Sequence, residues 1–102
     1  MSFTATLTTA GRSAVIALTG ALDADGDDAF RDKIDRVAGL DVTELVLDMS
    51  GLTRLSAAGI RAVAYARQRM ADDVSVVVAS PGPEVQAALQ AADFDDSVAI
   101  RD

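Results

Sequence analysis

Short apolar runs that alternate with helical patterns constrain the fold of this chain more than any other feature. Leu45–Leu47 is a continuous apolar run, and Val74–Val78 is a second one, interrupted by a single serine. Such runs are typical of interior strands that are covered on both faces of a sheet, so we expect Leu47 and Val76 to be almost inaccessible to solvent. A helical pattern lies between the two runs, and a strand, a helix and a second strand in this order predict a parallel crossover unit.

The N-terminal part of the chain predicts a hairpin followed by a helix. Phe3 to Thr8 alternates threonine with apolar residues, which indicates an edge strand, and Ser13–Leu18 predicts a more buried strand that pairs with it. Gly20–Asp23 is expected to end the second strand and to lead into the first helix. The core face of that helix is predicted from apolar residues at i, i+4 and i+7, which are Phe30, Ile34 and Val37.

A loop and a second helix are predicted after the Leu45–Leu47 strand. Asp48, Ser50 and Gly51 break the apolar pattern and are expected to begin the loop. Ser56 precedes the helix and is well placed to be its N-cap, because a serine oxygen accepts a free backbone N–H there. The helix is expected from about Ala57 to Met70, with its inward side chains at Ile60, Val63, Ala64 and Met70.

The C-terminal part completes an α/β pattern. The turn Ser80–Pro83 precedes a third helix, and a short last strand is expected from Ser97 to Ile100. The order β-β-α-β-α-β-α-β predicts a single α/β domain over residues 1–102, with a mixed, mainly parallel sheet. The predicted core face of the third helix is Val85, Ala88, Leu89 and Ala92.

Composition excludes several classes of function. The chain has no cysteine and no histidine, so we expect no disulfide, no histidine acid–base chemistry, no metal site and no cofactor. Its formal net charge of −7 argues against binding to nucleic acid or to an anionic membrane. No apolar run approaches the roughly 18–20 residues that span a bilayer, and the N-terminus does not look like a signal peptide. We therefore expect a cytoplasmic protein without direct membrane insertion.

Acidic residues near the strand ends raise the question of catalysis. Asp23, Asp25 and Asp48 would need a cleft and a raised pKa to act as paired general acid and base, and the sequence indicates neither. Asp48 is expected to bond loop amides, and Asp23 to cap the first helix or to contact a partner. We therefore expect no enzymatic activity.

Three segments carry a family resemblance over nearly the whole chain. Leu18–Asp23 has the sequence LTGALD, and Leu47–Arg61 has the sequence LDMSGLTRLSAAGIR. Ser80–Pro81 is followed by an apolar helical pattern at Val85–Leu89. Together they resemble the TGELD turn, the DLSGVTFIDSSGLR segment and the SP…V…LL helix of the STAS domain, which is found in bacterial anti-sigma factor antagonists. The resemblance implies a STAS-like fold.

The resemblance also implies a switch at the start of the second helix. In the family, a partner anti-sigma kinase phosphorylates a serine that follows an aspartate, and the unphosphorylated domain binds the kinase and frees the sigma factor. Here Ser56 stands at the aspartate position, Ala57 stands at the serine position, and Ala21 replaces the glutamate of the turn. Because a methyl group cannot accept a phosphoryl group, we expect no phosphorylation at the usual position. Phosphorylation of Ser56 is the alternative to its role as an N-cap.

The function that the resemblance implies is non-enzymatic regulation by protein binding. The partner would be an anti-sigma factor or a serine-kinase-like protein, and the outcome would be control of sigma-factor-dependent transcription. The alternative is an accessory STAS subunit of an ABC-type lipid transport complex that docks on its ATPase, and a homodimer is also left open.

The partner surface is expected at the helix start and along a stripe of arginine and tyrosine on the solvent face of the second helix. Both residue types are enriched at interface hot spots. A plain solvated face is the alternative. The predicted partner-binding residues are Asp23, Arg54, Ser56, Ala57, Ala58, Gly59, Arg61, Tyr65 and Arg69.

Overall fold

The secondary structure follows the predicted element order. A computed structural model describes residues 3–92 and 98–101 of the chain. In these residues the strands are β1 (Phe3–Ala10), β2 (Ser13–Leu22), β3 (Glu44–Leu55), β4 (Ser75–Ala79) and β5 (Ala99–Arg101). The helices are α1 (Asp27–Ala38), α2 (Ala57–Arg69) and α3 (Pro83–Ala91). The order β-β-α-β-α-β-α-β is confirmed.

The five strands form one mixed sheet in the order β1-β2-β3-β4-β5. β1 and β2 pair antiparallel as the predicted hairpin, and every other neighbouring pair is parallel. The hairpin turns at Gly11, whose φ of +59° lies in the left-handed region that glycine adopts without steric cost. The predicted mixed, mainly parallel sheet is therefore confirmed.

One hydrophobic core joins the three helices to a single face of the sheet. Alternate residues of β2 and β3 contribute to it, because successive side chains of a strand point to opposite faces. Leu47 and Val76, on neighbouring strands, are 0% and 3% exposed, as the sequence predicted. Val46 and Val77 are also buried but belong to the opposite face and lie outside this core cluster.

β3 extends far beyond the predicted Leu45–Leu47. The prediction that Asp48, Ser50 and Gly51 begin a loop is wrong, because β3 continues to pair with β2 as far as Leu55. Met49 is fully buried and keeps the extension attached to the core. The Asp48 carboxylate accepts a hydrogen bond from the N–H of Ser50 at 3.0 Å. A side chain of the same strand therefore provides the hydrogen-bond partner of this backbone N–H.

β2 is also longer than its sequence pattern indicated. Gly20–Asp23 was expected to end the strand, but β2 runs to Leu22. Its pairing with β3 shifts register between Ala17 and Thr19 and again between Gly20 and Ala21. Gly20 has a φ of +93°, so it accommodates the irregularity of a bulge rather than a strand end.

The helical core faces are largely as predicted. All three predicted residues of α1 are buried. On α2 Val63 is buried, as is the C-cap residue Met70, while Ile60 and Ala64 are half-buried. The sequence pattern missed Ala62 and Ala66, which are fully buried on α2.

The C-terminal elements differ from prediction at their ends. On α3, Val85 and Leu89 are buried, but Ala92 is exposed because the helix ends at Ala91. Ala88 is half-buried. The last strand begins at Ala99, and the predicted start at Ser97 lies outside the described residues. No helix among residues 3–92 and 98–101 is long and apolar enough to cross a membrane.

Candidate partner-binding cleft

A cleft of about 550 Å³ lies where β2 and β3 end and α2 begins. The carboxyl ends of parallel strands are a common position for binding sites in α/β folds, because loops and helix starts converge there. Two segments form the walls, one at the end of β2 and one at the end of β3. The lining residues are Ala21, Asp23, Thr53, Arg54 and Ser56.

Ser56 joins the two walls of this cleft. Its backbone N–H and its hydroxyl both donate to the carbonyl oxygen of Leu22, at 3.0 and 3.1 Å. Its Oγ also accepts a hydrogen bond from the N–H of Gly59 at 3.3 Å, which confirms the predicted N-cap. The hydroxyl is thus used as donor and as acceptor inside the fold.

The three small residues at the start of α2 have different environments. Ala57 is exposed, Ala58 is half-buried and Gly59 is buried. A Cβ on Gly59 would lie 2.6 Å from Leu55 Cδ1 and 3.0 Å from the carbonyl oxygen of Leu22. The backbone at Gly59 therefore packs closely against the protein's own strands. The prediction that Gly59 contacts a partner is therefore not compatible with its burial.

Two arginines near the start of α2 lack the ion pairs that most other basic residues of the described ranges form, and the exposed Arg101 on β5 lacks one as well. Arg54 and Arg61 are exposed, and neither forms an ion pair with any described residue. By contrast, Arg67 donates to the carbonyl oxygens of Ala71 and Val74. The remaining basic residues with ion pairs in the described ranges are Arg12, Arg31, Lys33, Arg36 and Arg69.

The acidic residues do not form a paired-carboxylate site. Asp48 lies beside Ala17 in the parallel register, whereas Asp23 follows the far end of β2. The Asp23 carboxylate accepts the N–H of Asp25 at 3.0 Å. Asp23 was expected to cap α1, but the N-cap residue of that helix is Gly26, without a side-chain hydrogen bond. That part of the expectation is wrong.

The C-terminal half of α2 packs against α1 instead of facing solvent alone. The Tyr65 hydroxyl donates to the Asp35 carboxylate, and Arg69 Nε lies 3.1 Å from the same oxygen. The guanidinium carbon of Arg31 lies 4.7 Å from the centre of the Tyr65 ring, within cation–π range. Tyr65 is half-buried, so its assignment to a purely solvent-exposed stripe is wrong.

This network changes the ionisation of the tyrosine. The hydrogen bond to Asp35 is the main cause that raises the pKa of Tyr65 above its ordinary value of 10.0, and desolvation adds to it. Arg69 acts in the opposite direction because a cation favours the phenolate.

The structure brings together three of the nine predicted residues in the cleft lining: Asp23, Arg54 and Ser56. Ala57 adjoins Ser56 at the start of α2, and Arg69 instead lines a separate cavity of about 190 Å³ near Met70 and Val74. The sequence prediction missed Ala21 and Thr53. Ala21 lies in the LTGALD segment and Thr53 in the LDMSGLTRLSAAGIR segment, so the family resemblance could have identified both residues.

Several solved structures with the same fold are anti-sigma factor antagonists or STAS domain proteins. The chain superposes on an anti-sigma factor antagonist from Mycobacterium paratuberculosis with a TM-score of 0.90, at 19% identity, over 98% of this chain and 86% of that one. For the phosphorylated form of the Bacillus cell fate determinant SpoIIAA, the TM-score is 0.75 at 20% identity, over 95% of this chain and 90% of that one. For a STAS domain protein from Planctomyces limnophilus, the TM-score is 0.80 at 13% identity, over 94% of this chain and 86% of that one. These likenesses establish an anti-sigma-factor-antagonist-like fold.

The family follows from the sequence match. The family model described as "Mlab, STAS domain" matches residues 5–101. The chain therefore belongs to the STAS domain family. Comparison with curated protein sequences gives no match.

Proposed function

We propose that this protein is a regulatory interaction module that binds an anti-sigma factor or a serine-kinase-like protein and so controls sigma-factor-dependent transcription. The observation that carries the proposal is the cleft at the start of α2, with an exposed arginine in its lining. Solved structures with this fold include anti-sigma factor antagonists, which supports the same class of partner.

The proposed contact surface consists of the cleft lining, Ala57, Ala58 and Arg61. Arg54 and Arg61 have no ion pair among the described residues, so a partner carboxylate would not have to displace an internal one. Arginine is enriched at interface hot spots because its planar guanidinium forms several hydrogen bonds at once. Tyr65 and Arg69 remain predicted contacts at the border of this surface, although their polar groups already bond Asp35.

We further propose that a cognate kinase does not phosphorylate this protein, so that phosphorylation at the start of α2 does not control binding. The side chain of Ala57 has no hydroxyl that could accept a phosphoryl group. The neighbouring hydroxyl of Ser56 already forms hydrogen bonds with Leu22 and Gly59. Transfer of a phosphoryl group to Ser56 would replace the hydroxyl proton and so remove its hydrogen bond to the Leu22 carbonyl. Control of the proposed complex would then come from the abundance or the state of the partner.

The binding proposal is tested by affinity capture from a lysate of the native host, with wild-type and Ala57→Glu protein as baits. Ala57 is exposed in the first turn of α2, where a glutamate is favourable for the helix, so the variant is expected to fold normally. A bulky carboxylate there is expected to abolish capture of an anti-sigma factor or kinase-like protein. Arg12→Ala, distant from the cleft, is the control and should capture like wild type.

The same experiment distinguishes the alternative function. If the specifically captured protein is the ATPase of a transport complex, the proposal of sigma-factor control is wrong and the protein is an accessory subunit. If Ala57→Glu captures the same partner as efficiently as wild type, the partner site lies elsewhere on the protein.

The phosphorylation proposal is tested by incubating the protein with the captured kinase and ATP. Intact-mass spectrometry is expected to find no added phosphate on the wild type. The double variant Ser56→Asp with Ala57→Ser restores the family residues and is expected to become an acceptor. One added phosphate on wild-type protein, on any residue, would contradict the proposal.

A further inference from the structure

The outer edge of β1 lacks several of the features that usually protect an edge strand. β1 pairs with β2 alone, so its other edge presents backbone N–H and C=O groups without a sheet partner among the described residues. Natural edge strands are commonly protected by charged side chains, proline, bulges or short length. β1 is eight residues long, contains neither charge nor proline, and keeps a regular register with β2 from Phe3 to Ala10.

The sequence of β1 is also complementary to itself. Thr4, Thr6 and Thr8 are exposed on one face, and Phe3, Ala5 and Leu7 are half-buried on the core face. If two β1 strands pair antiparallel about a two-fold axis at Thr6, Thr4 of each copy faces Thr8 of the other. Ala5 then faces Leu7, so from Thr4 to Thr8 threonine meets threonine and apolar meets apolar, whereas Phe3 faces Thr9.

We propose that this edge is a homodimer interface, in which β1 pairs antiparallel with β1 of a second copy and the two sheets become continuous. Cross-strand threonine pairs are favourable, and a two-fold interface requires one self-complementary surface, which β1 supplies. The occupant is a second copy because, from Thr4 to Thr8, an identical strand matches both faces of β1 in one register.

Charge predicts how the dimer responds to salt. Each copy carries a formal net charge of −7, so two copies repel each other at long range. β1 itself is uncharged, so the interface contains no β1 ion pair that salt would weaken. Added NaCl screens the repulsion, and the dimer is expected to become stronger rather than weaker as ionic strength rises.

Sedimentation equilibrium of the full chain tests the proposal. The apparent mass of wild-type protein is expected to rise from one chain to two with concentration, at lower concentration in high salt. Thr6→Lys places two like charges opposite each other at the axis and is expected to remove the dimer. Gln90→Lys adds the same charge at an exposed position of α3 and should leave it intact.

Disulfide cross-linking gives a second, independent measurement. Because the chain has no cysteine, one introduced thiol reports on one position. Residues opposite each other in an antiparallel pair have Cα atoms about 4.5–5.5 Å apart, which suits a disulfide. Thr6→Cys is therefore expected to form a covalent dimer under mild oxidation faster than Thr4→Cys, which would face Thr8, and faster than Gln90→Cys.

Three results would overturn the proposal. One is a wild-type chain that keeps the mass of a monomer up to millimolar concentration, which is also the result expected if β1 accepts only a strand of another protein. Another is a dimer that Thr6→Lys leaves intact. The third is a Thr6→Cys variant that cross-links no faster than Gln90→Cys.

Discussion

The two halves of α2 have the same kind of sequence but different neighbours. The C-terminal half carries Tyr65 and Arg69, which bond Asp35 on α1. At the N-terminal half, Arg61 is exposed without an ion pair in the described residues, and Ala57 is exposed in the first turn. The comparison shows that an arginine–tyrosine stripe at helical spacing does not by itself indicate an interface. Whether another helix of the same chain already engages the stripe decides its role.

The largest loss of stability is expected from Gly59→Ala, at a buried position in the N-terminal half of α2. The new Cβ would collide with Leu55 and with the backbone of Leu22. Overpacking of this kind costs about 1–3 kcal/mol, against the roughly 1 kcal/mol that alanine gains over glycine in a helix, so a net loss of up to about 2 kcal/mol is expected. Urea unfolding is expected to give a lower midpoint for the variant.

The control for this substitution is Gly82→Ala. A Cβ at Gly82 meets no atom within 4 Å, so the same chemical change has no steric consequence there. If Gly59→Ala is as stable as Gly82→Ala, the start of α2 is not packed against the strands as described.

A smaller loss of stability is expected from Tyr65→Ala in the other half of the helix. The substitution removes the bond to Asp35 and the ring beneath Arg31, so it should loosen α2 from α1. Urea unfolding and partner affinity should both be measured. If affinity falls while the midpoint is unchanged, Tyr65 belongs to the partner surface after all.

A double-mutant cycle of Tyr65→Phe and Asp35→Asn tests the hydrogen bond between the two helices. If Tyr65 and Asp35 stabilise the protein through their mutual hydrogen bond, the effects of Tyr65→Phe and Asp35→Asn on the free energy of unfolding should not add. Additive effects would contradict the coupling of the two helices at this point.

The smallest expected effect is on the ionisation of Tyr65. Since the folded protein raises this pKa, the stabilisation it reflects is complete below pH 10.0 and is lost as the pH rises through the folded-state value. The chain has one tyrosine and no tryptophan, so ultraviolet absorbance titration follows Tyr65 alone. The native protein should titrate at higher pH than the urea-unfolded protein, and Asp35→Asn should lower the native midpoint. Identical native and unfolded titrations would show that the hydrogen bond is absent in solution.

The sequence predicted the element order, the hairpin and the parallel sheet, because these follow from apolar periodicity. It placed the end of β3 incorrectly because Asp48 and Gly51 resemble loop residues, and only pairing with β2 keeps them in a strand. The Ser56 cap was predictable from local pattern, since its acceptor bond to Gly59 is local. The bond to Leu22 was not, because it joins residues that are 34 positions apart.

The candidate site was predictable in part for the same reason. Asp23, Arg54 and Ser56 were among the predicted partner-binding residues, and they do line one cleft. The hydrogen bonds of Tyr65 and Arg69 to Asp35 could not be predicted, because the spacing of α2 residues carries no information about Asp35 on α1. Periodicity within one element cannot identify the element that packs against it.

The carbonyl oxygen of Leu22 accepts two hydrogen bonds from the same residue, Ser56. The end of β2 and the start of α2 therefore cannot separate without breaking both bonds, and the two walls of the cleft are expected to move as one unit. Such a rigid surface loses little conformational entropy when a partner binds, which favours affinity without new contacts. It also means that a partner pulling on α2 would displace Asp23 together with the helix, so one contact would be transmitted to both walls.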